Sequence, residues 1–374
     1  TPSGAVVTRS PYRAEPPRVP QARVSLLTAA SVADVDRYSN YMSYLSRHPS
    51  EMSQLGLAMN RRVRFRVVDA KGNPVNDAQI KIVASGSTVL GRTHADGWWD
   101  FFPSFVAPHA RGTASATITV GQQVVRAQFS VPTHGDGQRV TVTLPRTAAL
   151  SPRVLDLAFL IDVTGSMGDE LRYVNREIKD IVRRVKSSVP NTTVRLGAVF
   201  YRDRGDAVPL KLLPFTKSVQ TFQSVMSTVR ASGGGDYPED LNAGISLAMQ
   251  RLDWSKGNSV RVLVVLADAP PKHYADAQYR YQHAMIDASA RGIRLLPVAA
   301  SGSNRVVEYL FRAMGAMTST PYTYLTDDSG VGGHHQEADT DRVGVERFNQ
   351  LLTRLIISDL SGKGMHEPGA LGPQ

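Results

Sequence analysis

Two apolar runs in this chain each end on an aspartate, and this feature limits the folds open to it most strongly. Residues 155–161 are followed by Asp162, and residues 260–267 are followed by Asp268. Runs that are apolar at consecutive positions are typical of strands buried on both faces of a parallel sheet. In open α/β sheets, the loops after such strands build the ligand site. We therefore expect both carboxylates to face one crevice.

The loop after the first run offers oxygen atoms at alternate positions, from Asp162, Thr164 and Ser166. One carboxylate and two hydroxyls suit a hard cation such as Mg²⁺, which prefers oxygen ligands. A glycine-rich loop at residues 231–240 lies between the two runs and carries Asp236. Together these features predict a divalent-cation site formed by Asp162, Thr164, Ser166, Asp236 and Asp268.

These residues, in this order and spacing, resemble the metal-ion-dependent adhesion site of von Willebrand factor A domains. There, a D-x-[ST]-x-S loop is completed by a Thr and an Asp from two later loops. The resemblance covers residues 153–361. It implies a doubly wound, mostly parallel, Rossmann-like α/β domain that binds Mg²⁺, with Mn²⁺ or Ca²⁺ as alternatives. It also implies a protein partner that gives the ion an acidic or other oxygen ligand, across a rim expected at Met167, Tyr237 and Glu239.

The sequence departs from that pattern at the third element, where Asp236 stands at a position that a threonine commonly holds. An additional carboxylate should raise the affinity for a divalent cation. It should also reduce the positive charge that the ion offers to a partner's carboxylate. Family members that have GGGD followed by Pro and Glu look similar here, so we interpret Asp236 as a variant ligand.

The same side chains also have an interpretation that involves no metal. Ser166 with Asp169 resembles a capping box for the following helix, and Asp236 with Glu239 resembles its D-x-x-E version for the next one. Capping and ion binding do not exclude each other, because a hydroxyl can serve one while the backbone serves the other. Both interpretations stay open at this point.

Motifs of several common catalytic sites are missing. A G-x-S-x-G elbow would need Gly at position 164, where the chain has Thr. Neither the phosphate-binding G-x-x-x-x-G-K-[ST] loop nor a G-x-G-x-x-G fingerprint is present. The chain has no cysteine, which excludes thiolate catalysis, Cys-ligated zinc and disulfides. We expect a protein that is not an enzyme.

The formal net charge of +10 would permit binding to nucleic acid. The basic residues are densest in two places. Arg61, Arg62, Arg64 and Arg66 lie at the start of a predicted strand with alternating residues, and Arg183, Arg184 and Lys186 lie on one face of a predicted helix. Neither group has interleaved aromatic residues or a known nucleic-acid-binding motif. We interpret the helix face as solvated and expect no nucleic-acid partner.

The rest of the chain divides into segments of different character. Residues 1–23 are rich in Pro and Arg and are expected to be extended, while 24–60 are expected to be helical, with a helix that starts at Ser31 and ends near His48. Residues 61–145 predict a smaller all-β sandwich of seven short strands. Its pattern V-x-D-x-x-G-x-P-V-x-x-A, followed by T-x-A-D-G, resembles transthyretin-like or carboxypeptidase-regulatory-like domains. Residues 362–374 are expected to form a flexible tail.

Residues 145–152 look like a linker, so we expect residues 153–361 to fold alone. No apolar run reaches the roughly 18 residues of a transmembrane helix. The chain starts at Thr1, as a form processed from a signal-bearing precursor would. We expect a secreted, periplasmic or cell-surface location, with the cytoplasm as the alternative.

The expected function is non-enzymatic, metal-dependent protein binding or cell adhesion. The alternative is a scaffold or assembly module whose ion is structural. In that case the β-domain or the N-terminal arm binds the partner, and partner binding survives removal of the ion.

Overall fold

The computed structural model describes residues 27–148, 151–326, 338–340 and 344–366. The expected extended segment 1–23 and residues 367–374 of the expected tail lie outside these ranges. The strands are β1 (Thr28–Val32), β2 (Arg61–Val68), β3 (Gln79–Ala84), β4 (Ser87–Arg92), β5 (Trp98–Phe101), β6 (Thr113–Val120), β7 (Gln123–Ser130), β8 (Gly135–Thr143), β9 (Val154–Asp162), β10 (Thr193–Tyr201), β11 (Leu210–Thr216), β12 (Val260–Ala267), β13 (Ile293–Ala299), β14 (Tyr322–Leu325) and β15 (Glu346–Arg347).

The helices connect these strands and cover the larger sheet. They are α1 (Tyr38–Arg47), α2 (Pro49–Leu55), α3 (Pro103–Val106), α4 (Gly168–Ser188), α5 (Val219–Thr228), α6 (Leu241–Arg251), α7 (Tyr281–Arg291), α8 (Arg305–Met317) and α9 (Phe348–Leu360). Across the described ranges, no helix combines the length and the apolar character needed to cross a membrane.

The larger sheet has eight strands in the order β11-β10-β9-β12-β13-β14-β1-β15. The five strands β10, β9, β12, β13 and β14 pair in parallel with one another, whereas β11 runs antiparallel to β10, and β1 runs antiparallel to both β14 and β15. Two apolar cores lie on its opposite faces, one with α1, α2, α6, α7 and α8 and the other with α4, α5 and α9. The expected doubly wound, mostly parallel α/β fold is confirmed.

The two strands that end on aspartates lie side by side in this sheet. Strands β9 and β12 pair in parallel, with Leu266 opposite Ile161. All eight residues of β12 are buried, which explains why its sequence is apolar without alternation. The chain leaves β9 toward β10 on one side and returns to β12 on the other, so the carboxyl ends of β9 and β12 flank the point where the strand order reverses.

A separate all-β region is present, as expected, and lies in the chain between α2 and β9, so that β1 of the larger sheet precedes it. It packs the three-stranded sheet β5-β2-β8 against the four-stranded sheet β4-β3-β6-β7. Its core contains Phe65, whose ring meets that of Phe129 edge-on at 5.1 Å, and Trp99. A Cβ atom at Gly91 would lie 2.0 Å from the Trp99 indole, so only glycine fits under that ring.

The expected start of the first helix at Ser31 is wrong. Residues 28–32 form β1, which lies between β14 and β15 in the larger sheet, and α1 begins only at Tyr38. The physical reason is that TAASV has no strong strand propensity of its own. Its pairing depends on partners far along the chain, such as Tyr322 opposite Val32.

The two units are joined by buried polar contacts. Arg294 is fully buried and donates to Asp359 of α9 at 2.9 Å and to Asp96 of the β-sandwich at 3.2 Å. The Trp99 indole donates to Ser289 of α7 at 2.8 Å. These contacts, and not the segment 145–152 alone, connect the β-sandwich to the α/β unit.

Part of the expected flexible tail is packed against the protein. Met365 is buried in the core under α4 and α9. The Nδ1 atom of His366 lies 2.7 Å from Oδ1 of Asp36. The expectation of a flexible segment is therefore wrong for residues 362–366.

Candidate metal centre

Asp162 lies at the carboxyl end of β9, with its side chain fully buried. The backbone N–H of Thr164 donates to its Oδ1 atom at 2.9 Å, and the Thr164 hydroxyl donates to the same atom at 2.7 Å. The Oδ2 atom is buried and makes no hydrogen bond of good geometry among the described residues, although the buried Tyr201 hydroxyl approaches this carboxyl group and partly offsets the rise in pKa that burial causes. Burying such an oxygen without a well-formed hydrogen bond costs free energy, so it needs a proton or a cation.

Ser166 connects the ends of the two central strands. Its hydroxyl donates to Oδ2 of Asp268, which follows β12. The capping box expected from Ser166 and Asp169 is not formed, because the N-cap residue of α4 is Met167 and no side chain caps it. The Ser166 hydroxyl is therefore used across the crevice.

The backbone of the glycine-rich loop lies close to the turn after β9 and so covers this crevice. Gly233 and Gly234 both have positive φ, 83° and 79°. The N–H of Gly165 donates to the Gly233 carbonyl at 3.1 Å. A Cβ atom at Gly234 would lie 2.8 Å from Oε1 of Glu239 and 3.0 Å from Cβ of Thr164, so a side chain there would push the loop away.

Asp236 does not join the other four predicted ligands. Its side chain is 56% exposed, and its Oδ1 atom lies 2.9 Å from Nζ of Lys272, which also contacts Asp203. The predicted cap formed by Asp236 and Glu239 is wrong too, because Asp240 caps α6 by accepting from Ala243 N–H at 3.0 Å. Lys272 has no local sequence signal for this role, since its pairing joins loops that are distant in the chain.

Glu239 was expected at the exposed rim, and the structure corrects this. The residue is buried, and its Oε2 atom has no hydrogen-bond partner in the described part of the chain. Its backbone is held between Pro270 and Lys272, with Glu239 N–H donating to Pro270 at 3.1 Å and Lys272 N–H donating to the Glu239 carbonyl at 2.7 Å. The Asp-x-Pro-Glu order after the glycines was the available signal for a third acidic group beside the strand ends.

The carboxyl groups of the crevice have raised pKa values. Burial, and then the negative charge of Asp268, raise the pKa of Asp162 to about 7. Burial, followed by the charge of Asp162, raises the pKa of Glu239 to about 8. Burial also raises the pKa of Asp268. Crowded, desolvated carboxylates of this kind lower their free energy by binding a proton or a positive ion.

Of the three residues expected at the rim, only Tyr237 is exposed. Tyr237 is 43% exposed, and its hydroxyl donates to the carbonyls of Asp268 at 3.1 Å and Gly302 at 2.9 Å. Met167, by contrast, is fully buried in the core between the sheet and α4. Its place in the rim is wrong, because the turn at residues 165–167 points this side chain inward.

The donor set determines how an ion could be held. Within the described ranges, no three His, Cys, Asp or Glu side chains are gathered closely enough to form a metal site by themselves. An ion at the strand ends would therefore need the hydroxyls of Thr164 and Ser166 in addition to carboxylates. All of these donors are oxygens, which suits Mg²⁺, Mn²⁺ or Ca²⁺ and does not suit metals that prefer thiolate or imidazole.

Comparison with known proteins agrees with this architecture. Residues 156–331 match the family described as von Willebrand factor A domain. The chain is 31% identical over 157 residues to an ariadne-like RING finger protein of Acanthamoeba polyphaga mimivirus, covering 42% of this chain and 14% of that protein. It is 30% identical over 130 residues to alpha-protein kinase vwkA of Dictyostelium discoideum (34% of this chain, 20% of that protein). It is 33% identical over 130 residues to hemicentin-2 of Mus musculus, a match that covers 34% of this chain and 2% of that protein. The chain thus spans a fifth or less of the length of each of these relatives.

Proposed function

Because residues 156–331 of this chain form a von Willebrand factor A domain, we propose that the chain is a non-enzymatic protein-binding module. In this proposal the domain holds a divalent cation at the ends of β9 and β12. Mg²⁺ is the first candidate, with Mn²⁺ and Ca²⁺ as alternatives. The ion's free coordination position accepts an oxygen ligand, such as a carboxylate, from a protein partner in an adhesion-type contact outside the cytoplasm.

One observation carries the proposal. The buried oxygens Asp162 Oδ2 and Glu239 Oε2 make no hydrogen bond of good geometry among the described residues. Both carboxyl groups have raised pKa values and lie near the hydroxyl-bearing loop of Thr164 and Ser166. A bound cation would coordinate Asp162 and offset the repulsion between the carboxylates.

We assign the protein ligands to Asp162, Thr164, Ser166 and Asp268, and we treat the buried Glu239 carboxylate as a neighbouring negative charge that favours a cation without coordinating it directly. Asp236 is assigned to the rim instead, where Lys272 neutralises it. Tyr237 stands beside it with an exposed ring that a partner could cover. Aromatic side chains at such positions often contribute strongly to protein interfaces.

Two other functions compete with this one. In the first, the ion is structural and the β-sandwich binds the partner, so that binding does not depend on the ion. In the second, the ion catalyses hydrolysis of phosphate esters or peptides. The raised pKa of Glu239 would suit a general base, and turnover in the presence of Mg²⁺ or Mn²⁺ would reveal it.

Capture of partners by the immobilised full chain tests the proposal. Proteins retained in millimolar Mg²⁺ are expected to elute with a chelator and to return when Mg²⁺ is restored. The retained proteins are then identified by mass spectrometry. Identical retention with and without chelator would favour the scaffold function instead.

The effect of pH provides a second prediction. A carboxyl group whose pKa is higher in the folded than in the unfolded state binds more protons when folded, so the metal-free protein loses stability as pH rises from about 4 to about 8. A cation must displace those protons at the low end of this window. A bound cation stabilises the folded protein by about 2.7 kcal/mol when its concentration is a hundredfold above Kd. The Mg²⁺ concentration needed for this stabilisation should therefore be much lower at pH 8 than at pH 5.5. Melting temperatures in a Mg²⁺ titration at both pH values measure this, and identical titrations would contradict it.

A further inference from the structure

A groove lies along the outer face of α4, where the start of α5 packs against it. Its volume is about 590 Å³, and Val182 and Val219 contribute apolar surface to its lining. Val182 is buried between the sheet and α4, while Val219 packs at the margin of the same core. The helix face that the sequence suggested was solvated therefore borders a shallow, open groove.

The groove is strongly basic. Its charged lining residues are five cations and one anion, namely Arg176, Lys179, Arg183, Lys186, Lys217 and Asp180. Asp180 is already bound by Arg183 and by Arg184 at its edge. No carboxylate of the described ranges forms an ion pair with Lys179, Lys186 or Lys217. Their like charges repel each other, and an anionic ligand would relieve that repulsion.

Four of the six basic residues of α4 lie on one side of the helix. Arg176, Lys179, Arg183 and Lys186 are spaced by three or four residues, so they follow one helix face over about 15 Å. An extended peptide of about four or five residues covers that length. Its alternate side chains would face the basic row and the apolar surface at Val182 and Val219.

We propose that this groove is a second docking site, which binds an extended acidic segment of a protein partner independently of any ion. A carboxylate-rich segment with an apolar residue matches both the charge and the apolar part of the lining. Nucleic acid fits less well, because none of the lining residues is aromatic and bases would find no side chain for stacking.

The groove is separate from the candidate metal centre. Helix α4 begins at Gly168 beside that centre, and Arg176 follows about two turns later. None of the residues that line the groove belongs to the proposed ion ligands. Binding in the groove should consequently persist in the presence of a chelator.

Fluorescence anisotropy with a labelled twelve-residue peptide of Glu, Asp and two Leu residues tests this inference on the full chain at low salt with chelator. Each exposed ion pair changes affinity by about two- to fivefold, so Lys179→Gln/Lys186→Gln/Lys217→Gln together should weaken binding by roughly tenfold or more. The triple Lys→Arg variant at the same positions should retain binding. The matched control, Lys71→Gln/Lys81→Gln/Lys256→Gln, removes the same charge from exposed sites elsewhere and should change affinity by less than about threefold.

Three results would overturn the inference. The first is no saturable binding of the peptide to the wild type. The second is an equal loss in the groove variant and the matched control, which would indicate a general effect of net charge. The third is tighter, groove-dependent binding of single-stranded DNA of equal charge, or of vesicles containing phosphatidylserine, which would assign the groove to that ligand instead.

Discussion

A fragment that contains only residues 153–366 is expected not to fold cooperatively. Its sheet would lack β1, the strand that lies between β14 and β15. Without it, β15 has no strand to pair with among the described residues, and β14 becomes an open edge. The sequence-based expectation that residues 153–361 fold alone is therefore replaced by its opposite.

The packing energy supports this expectation. The missing segment buries Tyr41, Tyr44, Leu45, Leu57 and Met59 against α8 and its neighbours. Each such side chain contributes about 1.5–3 kcal/mol, on the order of 10 kcal/mol in all, whereas whole domains are stable by roughly 5–15 kcal/mol. Truncation also removes Asp34, which Arg312 binds from within the core at 2.9 Å. A buried guanidinium that loses a carboxylate partner is strongly destabilising.

Thermal melting followed by near-UV circular dichroism measures the effect. The full chain should show one cooperative transition, and the fragment should show weak tertiary signal and no sharp transition. A variant of the full chain that lacks only residues 61–144, rejoined by a short flexible linker, separates the role of the β-sandwich from that of β1. A sharp, reversible transition in the 153–366 fragment near the melting temperature of the full chain would refute the prediction.

Asp162→Asn is expected to abolish cation-dependent partner binding while the protein remains folded. The amide keeps an oxygen to accept from Thr164 N–H and the Thr164 hydroxyl, so the turn after β9 is preserved. It loses the negative charge that an ion requires. Removing groups that only support metal ligands costs 10–100-fold in affinity, so loss of a ligand should cost roughly 100-fold or more. Isothermal titration with Mg²⁺ or Mn²⁺, together with partner capture, measures this loss.

Two companion variants test the assignment of ligands. Glu239→Gln should weaken cation binding strongly, because that carboxylate is buried beside the ion position. Asp236→Asn makes the same chemical change at the exposed partner of Lys272, and its effect on ion binding should be less than about tenfold, as expected for a solvated ion pair. If Asp236→Asn were as damaging as Asp162→Asn, the five-ligand set expected from sequence would be correct. If wild type and Asp162→Asn bound the partner equally, the ion would have no role in adhesion.

The fold, and the neighbouring positions of Asp162 and Asp268, were predictable from sequence because each left a local pattern. Consecutive apolar residues before Asp162 and Asp268 indicated buried parallel strands, and these strands are neighbours in the sheet. Alternating residues and turn motifs indicated the seven strands of the β-sandwich. In both cases the pattern arises because the sheet is buried on one or both faces. This burial constrains the residue type at every position along a strand.

The predictions that were wrong concern features that depend on distant parts of the chain or on the direction of a single side chain. The strand at residues 28–32 is defined by pairing with residues almost at the other end of the chain. Met167 and Glu239 were placed at the rim by their proximity in sequence to the ligands, yet both point inward. The pairing of Asp236 with Lys272 joins loops whose relative position only the folded structure determines.

The position of β1 also has a consequence for biosynthesis. Val32 pairs with Tyr322, so about 290 residues must leave the ribosome between one strand and its partner. At translation rates of about 5–20 residues per second, this takes roughly 15 to 60 s. The β-sandwich, whose strands are contiguous in sequence, emerges whole within that time. Throughout it, the first strand and its tyrosine-rich helices have no completed surface to join, and their exposed apolar side chains are suited to recognition by chaperones.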